Sequence, residues 1–122
     1  MTKDKFYTAW LDRFACGISA EDLAKYVVSS GNYLWHIFSW ELIDEDMYLS
    51  GDSARTAFDS MDKHDACYID WFEGEILRPL PSEWQSSKVL DGMCEVYVVA
   101  ADFSWTYMKT HESMCGPYFM KL

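Results

Sequence analysis

Apolar residues near the N-terminus recur at the spacing of an amphipathic helix, which predicts a helix over residues 3–15. The apolar stripe consists of Phe6, Tyr7, Trp10, Leu11 and Phe14. We expect Trp10 and Phe14 to be buried, because a helix on the surface of a domain covers its apolar stripe against the core. Ser19 stands three residues before Asp22, a spacing typical of a capped helix start, and predicts a second, shorter helix.

The middle of the chain alternates between predicted strands and one helix. Residues 33–42 are rich in aromatic and β-branched side chains, which favours a strand. Ser50 or Asp52 can cap a third helix, whose apolar side is Ala54, Ala57, Phe58 and Met61. Residues 67–72 are a further strand candidate, and residues 74–87 lack periodicity and indicate a loop.

The clearest strand patterns lie near the C-terminus. Residues 95–101 and 104–110 are separated by a short turn and predict an antiparallel hairpin. The aromatic tail, residues 116–122, predicts an additional edge strand. Together these patterns predict a single α+β domain over residues 1–122, in which N-terminal helices pack on an antiparallel sheet of about four strands.

Composition adds a strong negative charge and many aromatic rings to this outline. Twenty acidic residues against ten basic ones give a formal net charge of −10, and 17% of the residues are aromatic. The charge disfavours binding to nucleic acid or to an anionic membrane, since both attract Lys and Arg. It suits a basic protein partner, although solubility alone also accounts for it. Exposed Tyr and Trp are common anchors of protein interfaces.

Acidic residues cluster after the predicted strands, which makes them candidates for a binding face. Two clusters and two tryptophans form the predicted contact set, which comprises Asp44, Glu45, Asp46, Asp70, Glu73, Glu75, Trp71 and Trp84. If the strand ends converge, the clusters form one negative face with exposed aromatic anchors. The simpler alternative is a set of separate solvated loops.

The cysteines and the N-terminus indicate a reducing environment. No pair among the four cysteines has CxxC spacing, and the first residues contain no apolar segment of the kind that directs export. We therefore expect a cytoplasmic location, free thiols and no cofactor. No apolar run reaches the ~18 residues that a membrane helix needs.

Histidine and cysteine offer one candidate metal site and one candidate nucleophile. His64 with Cys67, and His111 with Cys115, have spacings that a zinc site accepts, although two surface histidines near ordinary cysteines give the same pattern. Cys115 with His111 as a base is the corresponding nucleophile hypothesis. No HExxH or GxSxG motif is present, so we predict no catalytic residue.

Three segments carry a resemblance to a known family. Residues 34–39 read LWHxFS, residues 102–112 read DFxWTYxxTHE, and residues 115–119 read CGPYF. Together they resemble a small, uncharacterised bacterial family, a domain of unknown function. The resemblance implies an association with toxin genes, beside which small acidic proteins serve as immunity factors. It carries over no catalytic residue. The matching residues are Trp35, His36, Trp105, Tyr107, His111, Glu112, Gly116, Pro117 and Tyr118, each of which belongs either to the core or to a site.

The leading hypothesis is a non-catalytic cytoplasmic binding protein that neutralises a basic bacterial toxin through an acidic, aromatic-rich surface. His111 and Glu112 join the candidate binding residues, because they are polar residues among large aromatic ones. The alternative is a small metal-binding protein or enzyme that uses His64, Cys67, His111 and Cys115. The third hypothesis is a structural subunit without a ligand.

Overall fold

A computed structural model describes residues 1–122, with five α-helices and six β-strands. The helices are α1 (Lys3–Phe14), α2 (Ala20–Tyr26), α3 (His36–Ser39), α4 (Asp52–Ser60) and α5 (Ser87–Leu90). The strands are β1 (Leu49–Ser50), β2 (Cys67–Asp70), β3 (Arg78–Pro79), β4 (Val96–Val99), β5 (Trp105–Lys109) and β6 (Tyr118–Lys121). Short 3₁₀ segments lie at Val28–Ser30, Glu45–Met47 and Ser82–Trp84. No helix has the length and apolar character needed to cross a membrane.

The strands form one antiparallel sheet in the order β1-β6-β5-β4-β2-β3. One row of paired residues crosses all six strands and consists of Leu49, Phe119, Tyr107, Val98, Tyr68 and Arg78. The sheet has six strands rather than about four because the two-residue strands β1 and β3 are too short to show a sequence period. β6 is not the predicted edge strand, since β1 pairs along its outer side.

Helices cover both faces of the sheet. Tyr97 and Val99 of β4 pack on the side of α1, α2 and α3, whereas Val96 and Val98 pack on the side of α4 and α5. Every residue of β4 is therefore buried, which explains why its sequence is apolar throughout rather than alternating.

The N-terminal helices pack on the sheet as predicted. Trp10 and Phe14 are buried, and Trp10 Nε1 donates a hydrogen bond of 3.0 Å to Thr106 Oγ1 of β5. Thr2 caps α1 and Ser19 caps α2 through their side-chain oxygens. Each cap satisfies a backbone N–H that has no partner within its helix.

The prediction of a strand over residues 33–42 is wrong. This segment forms a turn followed by the single-turn helix α3. Leu34, Ile37 and Phe38 are fully buried or nearly so, and their i, i+3, i+4 spacing places them on one side of a helical turn. Packing of these side chains under the sheet outweighs the β-propensity of the segment.

Candidate functional site

Three strand termini meet at one end of the sheet, which we call the β4-start end. Val96 pairs with Asp70 on one side and with Lys109 on the other, so the start of β4 lies beside the ends of β2 and β5. The backbone N–H of Trp71 extends this ladder with a 3.0 Å hydrogen bond to the carbonyl of Glu95. The residues that follow β2 and β5 therefore lie close to Glu95.

Glu95 is a buried carboxylate with a full set of hydrogen-bond donors. The residue is 1% exposed. Its Oε2 accepts hydrogen bonds from Trp35 Nε1 at 2.6 Å and from the hydroxyl of Tyr97, and its Oε1 accepts one from the backbone N–H of His111 at 2.7 Å. Oε1 also lies 2.9 Å from His111 Nδ1. These contacts compensate the loss of water and fix α3 and the segment after β5 against β4.

His111 stands between two carboxylates. Its Nδ1 contacts Glu95, and its Nε2 lies 3.3 Å from Oε1 of Glu112, whose side chain is 57% exposed. A neutral imidazole carries one N–H and donates to one of these carboxylates, whereas an imidazolium donates to both. The rings of Tyr33 and Phe72 lie around it, with centroids 4.8 and 5.5 Å from the His111 ring. The imidazole is thus held in a defined position within an aromatic setting.

His36 is the second histidine at this end of the sheet. Its Nδ1 lies 3.0 Å from Ser39 Oγ, and its ring centroid lies 4.2 Å from that of Trp35. Burial lowers the pKa of His36, and the carboxylates of Glu95 and Glu112 oppose this effect without cancelling it. The balance of these effects favours the neutral imidazole of His36.

Large apolar side chains remain exposed around the two histidines. Trp40 is 56% exposed and Phe72 is 48% exposed. We call this surface the sheet-end patch; it consists of Tyr33, His36, Trp40, Phe72, His111 and Glu112. A groove of about 310 Å³ opens within it and is lined by Trp35, His36, Ser39, Trp40, Glu112 and Cys115.

Part of the predicted contact set lies at the sheet-end patch. Asp70 and Glu73 are exposed at the end of β2, and Asp70 Oδ1 accepts hydrogen bonds of 3.1 Å from the backbone N–H groups of Phe72 and Glu73. Asp70 therefore holds the turn that presents Phe72. Glu75 is exposed, and its carbonyl accepts a hydrogen bond from the N–H of Lys3 at the start of α1.

The remaining predicted residues lie elsewhere. Trp71 is 6% exposed and packs in the core, so its interpretation as an exposed anchor is wrong. Trp84 is half-buried against Tyr68, with ring centroids 4.9 Å apart. The exposed residues Asp44, Glu45 and Asp46 lead towards β1, at the opposite edge of the sheet from β2 and β3. The acidic clusters therefore do not share one strand end.

The four residues of the metal hypothesis are divided between opposite ends of the sheet. Cys67 pairs with Val99 at the end of β4, whereas His111 follows Lys109, which pairs with Val96 at its start. His64 is exposed, and its Nδ1 lies 3.0 Å from Asp62 Oδ1. No group of three or more His, Cys, Asp or Glu residues is placed to hold a metal ion. The fold does not bring the predicted ligand set together.

The motif residues divide between core and site. Trp105 and Tyr107 are buried on the α4 side of the sheet, whereas Trp35, His36, His111 and Glu112 meet at the β4-start end. Sequence reasoning missed Glu95, Tyr33, Trp40 and Phe72 as site residues. Glu95 carried one usable signal, since it is the single charged residue in the otherwise apolar segment 95–101. Trp40 carries no such signal, because the aromatic and β-branched residues of its segment predict a strand.

The fold and the site define a class: an α+β protein with helices on both faces of an antiparallel sheet, and a histidine braced by a buried carboxylate at one sheet end. A sequence model of the family described as a domain of unknown function (DUF4275) matches residues 3–119. The chain belongs to this family, which confirms the resemblance to an uncharacterised family. No curated protein and no solved structure matches the chain.

Proposed function

We propose that this chain is a non-catalytic cytoplasmic binding protein that uses the sheet-end patch to hold a basic protein partner. The exposure of Phe72 beside His111, and of Trp40 beside His36 in the groove, is the observation that carries the proposal. Large apolar side chains clustered on a surface and rimmed by polar groups are typical of protein interaction sites. Aromatic residues and Met are also enriched at interface centres.

The sheet-end patch is built on a rigid support, which favours binding. The Glu95 carboxylate fixes Trp35 and His111, and Asp70 fixes the turn before Phe72. Side chains that are already ordered lose little conformational entropy when a partner docks. The patch is therefore prepared for contact without rearrangement of the core.

Charge supports a basic partner. The net charge is −10, and Asp70, Glu73 and Glu112 lie at or beside the patch. Complementary charge accelerates association and disfavours acidic partners. A bacterial toxin with a basic active cleft, neutralised inside the producing cell, is the partner class that fits this proposal. Trp40 and Phe72 replace Trp71 and Trp84 as its anchors.

The test is affinity capture from a lysate of the source organism, with three baits compared by quantitative mass spectrometry. The baits are the wild-type chain, a W40A/F72A double variant and a V89A control. Val89 is 41% exposed on α5, on the other side of the sheet. It is therefore similar in exposure to Trp40 and Phe72 but lies away from the patch. Circular dichroism establishes that each variant is folded.

We expect a basic protein that the wild-type chain and V89A retain equally and that the double variant loses. Its retention should weaken between about 50 mM and about 300 mM salt, since salt screens surface charge. Retention of the same protein by the double variant would show that the patch is not the contact surface. Capture of no basic protein by any bait would contradict the proposal as a whole.

A further inference from the structure

We propose that the groove within the sheet-end patch receives an arginine side chain of the partner. The inference rests on the proposed function, because it assigns a subsite to the same surface. It commits to one chemistry: a planar guanidinium that packs against an exposed indole and pairs with one carboxylate. It also gives the patch a specificity that exposed apolar residues alone do not supply.

The lining of the groove carries this chemistry. Trp40 presents an exposed indole, and indole faces attract cations more strongly than other aromatic rings do. Glu112 is the single charged side chain in the lining, and its carboxylate is more than half exposed. A carboxylate beside an aromatic face matches the flat, weakly hydrated guanidinium, which stacks and forms two parallel hydrogen bonds.

The remaining lining residues fix the depth and the polarity of the groove. Trp35 is buried and forms the floor, where its Nε1 is already engaged by Glu95. His36 is held by Ser39 and adds a second flat wall. The groove therefore offers apolar contact to the methylene stem of an arginine and a negative charge to its head, as long cationic side chains require.

The test uses a small probe instead of the partner. The six tryptophans give six indole N–H signals in a ¹⁵N-labelled chain, and the W40A variant assigns the signal of Trp40. N-acetyl-arginine methylamide is titrated into the labelled chain. N-acetyl-citrulline methylamide, which has nearly the same shape and no charge, is titrated in a parallel experiment. We expect the arginine compound to shift the Trp40 signal saturably. The citrulline compound should bind at least about threefold more weakly than the arginine compound.

Two variants locate the charge that the probe recognises. E112Q removes the carboxylate of the groove and should weaken arginine binding by roughly threefold or more. E83Q removes an exposed carboxylate on a different part of the surface and should leave binding unchanged. Both are surface substitutions, so a change of fold does not confound the comparison.

Equal shifts with arginine and citrulline, equal binding by E112Q and wild type, or no saturable shift of the Trp40 signal would each overturn the arginine assignment. These outcomes are distinguishable from failure of the proposed function. If the arginine assignment fails while W40A/F72A still loses a basic partner, the patch binds by another chemistry. If capture fails while the probe binds, the groove binds arginine and the partner proposal is wrong.

Discussion

At the residue scale, Glu95 organises the candidate site, because its carboxylate accepts hydrogen bonds from residues on three different segments. A carboxylate that is 1% exposed survives in the core only because donors from α3, β4 and the segment after β5 surround it. Burial of an ionisable group without partners is strongly unfavourable, whereas a fully bonded group gives the core a unique arrangement. Glu95 thus links the stability of the sheet end to the position of His111.

E95A should destabilise the chain by about 3 kcal/mol, because it leaves the Trp35, Tyr97 and His111 donors without their acceptor. Urea unfolding followed by circular dichroism measures the change. E112A is the control: it removes the other carboxylate beside His111, which is exposed, and should cost less than about 1 kcal/mol. Similar costs for the two variants would show that Glu95 does not organise the site.

His36 makes stability depend on pH. Burial lowers the pKa of His36, His111 adds to this shift, and Glu95 and Glu112 oppose it. As the pH falls below about 6.5, the unfolded chain takes up a proton at this residue that the folded chain binds only at lower pH. The contribution of His36 to stability is therefore present above that pH and is lost on acidification. H36Q should lose less stability than the wild-type chain between about pH 7.5 and about pH 5.5.

H64Q is the control for this measurement, and it should change the loss of stability on acidification in the opposite direction. The hydrogen bond with Asp62 raises the pKa of His64, so His64 favours the folded chain at low pH. H64Q should lose slightly more stability than the wild-type chain on acidification. If H36Q and H64Q respond in the same direction, the account of His36 is wrong.

At the element scale, the two helical layers rest on different residues of the same strands. α1 covers one face through Trp10 and Phe14, and α4 covers the other through Phe58, whose ring stacks on Tyr107 at 4.2 Å. The sheet depends on both layers, because β4 and β5 are buried on both faces.

F58A should cost about 3–5 kcal/mol, since it empties a fully buried site between α4 and β5. T56A, at an exposed position of the same helix, should change stability by less than about 0.5 kcal/mol. Chemical denaturation of both variants measures the difference. An F58A cost below about 1 kcal/mol would mean that α4 does not cover the second face.

The sequence predicts the elements whose periodicity is long enough to read. α1, α4 and the β4–β5 hairpin have stripes or apolar runs over several residues, and the structure confirms them. The strand predicted over residues 33–42 fails because one helical turn is too short to show a 3.6-residue period among so many apolar residues. The two-residue strands β1 and β3 are defined by their partners, not by their own residues.

The candidate site was only partly predictable for a related reason. His111 and Glu112 stand out as polar residues among aromatic ones, and the structure places them in contact at the β4-start end. Trp71 and Phe72 are neighbours that point in opposite directions, one into the core and one outwards, and composition cannot choose between them. Glu95 can be recognised as a site residue only when the strand register is known, since the pairing of β4 with β2 and β5 surrounds it with donors.

At the scale of the whole molecule, the proposed function assigns charge and exposed aromatic residues to different steps of binding. The net charge of −10 acts at long range and should raise the association rate with a basic partner at low salt. In the proposed complex, Trp40 and Phe72 are the contact anchors, and buried anchors determine how long a complex lasts. The two contributions can therefore be separated kinetically.

The most direct test of the proposed function is the dissociation rate of the captured basic partner from four purified chains: wild type, W40A, F72A and V89A. Surface plasmon resonance at several salt concentrations gives both rate constants. Removal of an interface anchor should speed dissociation roughly tenfold for W40A and F72A at every salt concentration, with V89A unchanged. The association rate should fall with salt in all four chains. Dissociation rates that are the same for W40A, F72A and V89A would contradict the assignment of the sheet-end patch as the binding surface.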